Sequence, residues 1–186
     1  MAKTIAIDVD GVLADTHTEW LKRYNHDWKD SIAVDDIKSW EIHRYVKCGH
    51  KIYEYLDYKN LYQSVLPIQN SFECVSKLRE MGYHIIYVTD SYPPIQMMGK
   101  FKWLKDWGYL DPQRLQKDFY VAHDKSKILC DYLIDDRVEN VRNCSGTGLI
   151  FSQPWNEGYL DSVRLDGWGD YVVEYFKHEL DNSQIE

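Results

Sequence analysis

The chain has 186 residues, of which 44% are hydrophobic and 28% charged, a balance that excludes intrinsic disorder and suits one domain, with or without an insertion. Its net charge of −8 disfavours binding to a long nucleic acid, yet leaves room for a small anion wherever a metal or lysines reverse the sign locally. No run approaches the ~20 apolar residues of a membrane span, the first apolar run is too short for a signal peptide and meets acid at Asp8, and Cys48, Cys74, Cys130 and Cys144 lack the spacing of a disulfide framework or zinc site, which points to reduced thiols in a cytoplasmic protein.

Lys3 to Asp8 reads as a buried strand ending in acid. Residues 15–66 change character: they hold nine aromatics, many charges and no clear strand, and read as two or three amphipathic helices. Pro67 marks a boundary. Asn70 or Ser71 caps a helix that runs to Met81 and stops at Gly82. His84 to Thr89 is a second strand, and Pro93 and Pro94 open a helix ending near Gly108. Asp118 to Ala122, Tyr132 to Ile134 and Gly148 to Phe151 read as strands. Ser126 to Cys130 reads as a helical turn, and Arg137 to Cys144 and Asp170 to Leu180 as helices. Strands alternating with helices predict an α/β fold with a Rossmann-like parallel sheet and helices on both faces. Residues 1–14 and 67–186 would form the core, with residues 15–66 inserted after the first strand as a small helical cap.

Open α/β sheets bind ligands at the carboxyl ends of their strands. Those ends carry Asp8, Thr89 and the pair Asp135-Asp136, with His123-Asp124-Lys125 after the third strand. Asp8 and Asp10 point the same way at a strand end, and two carboxylates there repel unless a cation joins them. Mg2+ suits such a cluster, because it is a hard cation that prefers carboxylate oxygens. Gly11 permits the sharp turn that follows.

Asp8-Val9-Asp10-Gly11-Val12-Leu13-Ala14-Asp15, Val88-Thr89, Lys125 and Leu133-Ile134-Asp135-Asp136-Arg137 resemble the four ordered motifs of the haloacid dehalogenase phosphatase superfamily. More narrowly, the chain resembles the 5'(3')-deoxyribonucleotidases, with Lys59-Asn60-Leu61-Tyr62 similar to that family's cap exit and Trp103 to Gly108 similar to its helix end. The resemblance implies that Asp8 is a nucleophile forming an aspartyl-phosphate and that Asp10 is the acid and base. It further implies that Asp8, the Asp10 carbonyl and Asp136 hold Mg2+, with Asp135 supporting the site from behind. Thr89 would bond a phosphate oxygen, Lys125 would neutralise charge, and Lys100 would stand near the phosphate. Four positions depart from the family: Asp90 stands where Ser is common, Thr16 and Leu56 stand where base-contacting aromatics are expected, and Glu41 follows Trp40 where another aromatic is usual.

Trp20, Tyr24 and Trp28 read as a core face of a helix, whereas Trp40, in a loop, reads as a platform for a base. Glu41 beside it reads as an acceptor for an amine on that base. His17 and His123 read as structural or solvated, and Lys100 with Lys102 as a solvated helix face. Gln153 to Asn156 reads as a loop packed against the site. The expected activity is Mg2+-dependent hydrolysis of (deoxy)ribonucleoside 5'-monophosphates. The alternatives are another small phosphate ester or a 3'-phosphate as substrate, or a catalytically silent nucleotide-binding protein. The expected partner is a small nucleotide or phosphate ester, with no long nucleic acid and no membrane, and a homodimer is the assembly considered.

Overall fold

A computed structural model describes residues 2–58, 60–114 and 117–182. Its frame is a six-stranded, all-parallel sheet formed by β1 (Thr4–Ile7), β2 (His84–Thr89), β3 (Phe119–Val121), β4 (Tyr132–Asp135), β5 (Thr147–Phe151) and β6 (Val163–Leu165), in the order β3-β2-β1-β4-β5-β6. Ile5, Ala6 and Ile7 of β1 are all buried, as a central parallel strand covered on both faces requires.

The period of two sorts the side chains between two cores. Ile5, Ile7, Ile85, Tyr87 and Ile134 face the helices α3 (Ser71–Glu80), α4 (Pro94–Asp106) and α6 (Asp170–Asn182) through Val75, Leu78, Trp103, Leu104 and Phe176. Ala6, Ile86, Val88 and Leu133 face the other way, onto Ala122, Ile128, Cys130 and Cys144, and beside them α5 (Val138–Asn143) packs Val141 on Ile150. Strand order reverses between β1 and β4, which lie side by side (Ile7 opposite Ile134), so the crevice of such a sheet opens above Asp8 and Asp135.

Residues 15–66 leave and rejoin the sheet at one place: Asp15 N donates to Leu66 O at 2.9 Å and Ile68 N to Leu13 O at 2.7 Å. Between these points lie α1 (Thr16–Trp28), α2 (Leu61–Ser64) and 3-10 segments at Val34–Asp36, Ile42–Arg44 and Gly49–Asp57. Where the sequence predicts two or three amphipathic helices, the segment has one long α-helix, 3-10 stretches of which Gly49–Asp57 is the longest, and the single-turn α2. Branched Val34, Ile37, Ile42 and Val46, and Gly49 at φ +55°, do not sustain an α-helical ladder. Trp20, Leu21, Tyr24, Ile37, Ile42, Val46, Ile52 and Tyr55 nonetheless bury one another in a core of their own. Trp28, assigned to the same face as Trp20 and Tyr24, is exposed instead.

Two further expectations change. Asn70 precedes α3 in the left-handed region at φ +63°, and its amide donates to Trp168 O rather than capping the helix. β6 escaped the sequence reading because three residues at a sheet edge carry too little alternation. Lys59, part of the motif similar to a cap exit, lies outside the described residues. Among the described residues no helix is long and apolar enough to cross a membrane.

Candidate active site

Asp8 follows β1 directly, and its N–H donates to Ile134 O at 2.9 Å, which fixes it beside the end of β4. Lys125, at the start of a 3-10 turn and 4% exposed, bridges the two strand ends: its Nζ lies 2.5 Å from Asp8 Oδ1 and 2.6 Å from Asp135 Oδ2. Asp135 also accepts from Arg137 N at 2.9 Å and from Asn140 Nδ2 at 3.1 Å. Burial would draw the Lys125 ammonium down, but Asp8 and Asp135 outweigh it and hold it above its usual range. Burial also pushes Asp8 up, to about 7, against the pull of Lys125, with Asp135 and Asp10 adding to the rise.

Asp136 is different. It is 1% exposed, and neither carboxylate oxygen finds a hydrogen-bond partner among the described residues. Its backbone carbonyl is held by Asn156 Nδ2 at 2.8 Å, so the side chain is aimed by a fixed backbone. Burial, then Asp135 and Asp8, push its carboxyl well above the carboxylate range. An unpartnered buried carboxylate is costly unless a cation joins it. Oxygens of Asp8, Asp135 and Asp136 lie within 4.8 Å of one another, an all-oxygen donor set that fits a hard divalent cation.

A second cluster forms around Asp10. Lys100 Nζ lies 2.6 Å from Asp10 Oδ2 and donates to Thr89 Oγ1 at 2.9 Å and Asp90 O at 2.6 Å. Asp10 Oδ1 accepts from Thr16 Oγ1 at 2.6 Å and Tyr62 OH at 2.7 Å. Burial raises Asp10, but Lys100, then Thr16 and Tyr62, overcome it and hold the carboxyl below its usual range. Lys100 is 3% exposed, which corrects its reading as a solvated helix face.

Both clusters floor one cavity of about 670 Å³. Its upper wall is aromatic and includes Trp20, Trp40, Tyr53 and Trp155. Trp40 is exposed, with Arg137 Cζ 5.1 Å from its ring centre and the Trp155 ring edge-on at 6.2 Å. Thus Asp8, Asp10, Thr89, Lys100, Lys125, Asp135, Asp136 and Trp40 all border one space, although they come from six separate stretches of chain. Glu41 does not serve it as expected, because its carboxylate pairs with Arg44 at 2.7 Å. Asp90 turns its carboxylate to exposed His123, at 2.8 Å, which separates it from the phosphate-binding candidates. The loop after β5 does pack on the site: Gln153 Nε2 donates to Gly11 O at 2.6 Å.

The sequence reading gave no site role to Tyr62, Thr16, Asn140 or His17. His17 lines the cavity at 4.4 Å from the Trp155 ring, and burial draws its imidazole down to about 4. Thr16 could have been found from its place just after the acidic motif. Tyr62 is 52 residues from Asp10, and nothing local announces their contact.

The family model for "5' nucleotidase, deoxy (Pyrimidine), cytosolic type C protein" matches residues 2–176. A 5'(3')-deoxyribonucleotidase of Clostridium acetobutylicum is 30% identical over 168 residues, covering 89% of this chain and 90% of that protein. One of Bacillus subtilis is 27% identical, covering 90% and 95%. In fold, the chain is similar to a haloacid dehalogenase-like hydrolase from Streptococcus pneumoniae, with a TM-score of 0.60, 12% identity and coverage of 94% and 98%. A protein from Bacillus subtilis described as a HAD-hydrolase, solved bound to magnesium, gives a TM-score of 0.58 at 14% identity and covers 97% and 99%. The chain therefore belongs to the deoxy (pyrimidine) cytosolic type C 5' nucleotidase family, a group of phosphoric monoester hydrolases built on the haloacid dehalogenase-like fold.

Proposed function

We propose that this chain is a Mg2+-dependent phosphatase that converts (deoxy)ribonucleoside 5'-monophosphates to nucleoside and phosphate through an aspartyl-phosphate on Asp8. The observation that carries the reading is the pairing of a lysine-bridged carboxylate, Asp8, with an unpartnered buried one, Asp136, at the floor of an aromatic-walled cavity. The names of the relatives support the nucleotide, and the magnesium-bound neighbour supports the cation. A cytoplasmic setting follows the family description.

Asp8 and Asp136, with the Asp10 carbonyl, would hold Mg2+, while Asp135 stays engaged with Lys125 and Asn140. When bound, the ion supplies positive charge against the phosphate and the charge that develops during transfer. An oxygen of Asp8 bonds phosphorus as the bond to the ester oxygen breaks. The ester oxygen takes the proton of the Asp10 carboxyl, which the bound phosphate favours in its protonated form by adding negative charge and sharing Lys100, and leaves as the nucleoside hydroxyl. Asp10 then accepts a proton from water as the water oxygen bonds phosphorus and the Asp8–phosphorus bond breaks, releasing phosphate and restoring both acids. Thr89 and Lys100 bind phosphate oxygens, and Lys125 keeps Asp8 ionised for attack despite its burial. Residues 15–66 act as a cap over the core formed by 1–14 and 67–186, and their aromatics receive the base.

The test is phosphate release from ribo- and deoxyribonucleoside 5'- and 3'-monophosphates, with sugar phosphates as controls, in Mg2+ and in chelator. The expected result is turnover of 5'-nucleotides that needs Mg2+ and vanishes in Asp8→Asn. Full activity of a folded Asp8→Asn protein would overturn the nucleophile assignment, and preferential turnover of sugar phosphates would overturn the substrate class.

A further inference from the structure

Tyr62 lies on α2, at the exit of the 15–66 segment, yet its hydroxyl reaches Asp10 Oδ1 at 2.7 Å. Burial, then the charge of Asp10, push this phenol well above its usual range, so it is a hydrogen-bond donor across the working pH range. Its ring rests on α4 at Gly99: a Cβ added there would lie 2.8 Å from Tyr62 Cδ2. Glycine within a helix costs stability relative to alanine, and here the missing methyl is the seat for the ring. The next residue, Lys100, holds the other oxygen of the same carboxylate. At the segment's entrance, Thr16 Oγ1 shares Asp10 Oδ1 at 2.6 Å.

We propose that Tyr62, seated on Gly99, is a positioning residue that orients the Asp10 carboxyl toward the leaving group, so that the inserted segment's exit helps set the acid's aim. Three donors from three elements leave the Asp10 carboxyl one orientation, and proton transfer depends steeply on such geometry. Removing the Tyr62 hydroxyl leaves Thr16 alone on Oδ1 and Lys100 alone on Oδ2, so the carboxyl turns more freely about its bond. The inference rests on the reading of Asp10 as the acid of the nucleotidase reaction.

The experiment compares single-turnover cleavage of a deoxyribonucleoside 5'-monophosphate with that of 4-nitrophenyl phosphate, whose leaving group needs no proton. Wild type, Tyr62→Phe, Asp10→Asn, Gly99→Ala and the Gly99→Ala/Tyr62→Phe double variant are compared, with thermal melts to confirm that each is folded. A general acid contributes roughly 10²- to 10⁴-fold. Tyr62→Phe should therefore lose about tenfold on the nucleotide at unchanged KM, a fraction of that range, and about nothing on nitrophenol release. Gly99→Ala should reproduce the loss by displacing the ring, and the double variant should lose no more than either single one, because both act through one hydrogen bond. Equal losses on both substrates, a raised KM without leaving-group dependence, or additive losses would overturn the positioning role. If Asp10→Asn shows leaving-group dependence and Tyr62→Phe does not, this inference alone fails. If Asp10→Asn shows none, the assignment of the acid fails with it. Should Tyr62→Phe not fold, the same outcomes are read from Gly99→Ala.

Discussion

A Cβ on Gly11 would stand 2.6 Å from Asp136 Oδ2, the oxygen that finds no hydrogen-bond partner among the described residues. The turn after Asp10 thus passes over Asp136 with no room for a side chain, and its φ of +73° would strain any L-residue. Gly11→Ala is expected to cost about 1–2 kcal/mol in unfolding free energy from the backbone conformation. It should also push Asp136 off the proposed metal site. Urea unfolding and Mg2+ titration calorimetry check the two effects separately, and unchanged Mg2+ affinity would show that Asp136 is not a ligand.

The same carboxylates predict how pH acts on the metal-free protein. Asp8 rises from 3.8 to about 7 on folding, through burial first, and Asp136 rises in the same sense. A raised pKa means that the folded state holds protons the unfolded state has released. The stability these groups contribute is complete below about pH 4 and is lost as pH rises through about 7. In chelator, wild type should therefore melt at a lower temperature at pH 8 than Asp136→Asn, with the gap narrowing toward pH 5. Mg2+ should raise the wild-type melting temperature most at pH 8 and leave Asp136→Asn nearly unmoved. A gap that widens toward pH 5 would sink this account.

Lys125 compensates two buried carboxylates at once. Lys125→Met keeps the apolar stem and removes the ammonium, leaving Asp8 and Asp135 facing each other. Breaking a buried ion pair from one side costs about 3–5 kcal/mol. Lys125→Met should lose that much in urea unfolding at pH 8, and lose less at pH 5, where Asp8 accepts a proton. An equal loss at both pH values would mean that packing, not charge, is what Lys125 supplies.

Much of this site could be read from the sequence because the sheet writes it in short runs. Asp8, Thr89 and Asp135 each follow a buried apolar stretch, so the strand ends were visible where periodicity stopped and polar chemistry began. Lys125 was legible from its place after β3 and from the resemblance. The contacts of Asp10 were not. Tyr62 and Lys100 reach it from α2 and α4, and their approach is set by the 3-10 path of residues 33–57 and by the absent side chain of Gly99, neither of which leaves a periodic trace. The same limit explains why Glu41 was misread: a residue beside Trp40 in sequence is turned to Arg44 by a single 3-10 turn. The loop after β5 was legible as packing on the site, and its Trp155 ring does border the cavity.

Trp40 carries the last prediction. Its ring borders the cavity from the inserted segment, while Asp8, Asp10 and Lys125 belong to the sheet. A base stacked on one aromatic ring gains about 1–3 kcal/mol. Trp40→Ala should therefore weaken nucleotide binding by roughly ten- to a hundredfold, a range that follows from that stacking energy. Arg137, whose guanidinium lies 5.1 Å from the same ring, would lose its cation–π partner, so a small part of the loss could travel through it. Arg137→Lys in the Trp40→Ala background separates the two: additive losses mean that the ring itself receives the base, whereas no further loss means that Trp40 acts by holding Arg137. Hydrolysis of 4-nitrophenyl phosphate, which carries no base to stack above the floor of the site, should change by less than about twofold in Trp40→Ala, since none of the groups proposed for phosphoryl transfer touches the ring. Steady-state efficiencies for nucleotide and aryl phosphate, taken as a ratio, are the measurement. A ratio equal to that of wild type would make Trp40 a packing residue and move base recognition to the neighbouring Trp155 and His17.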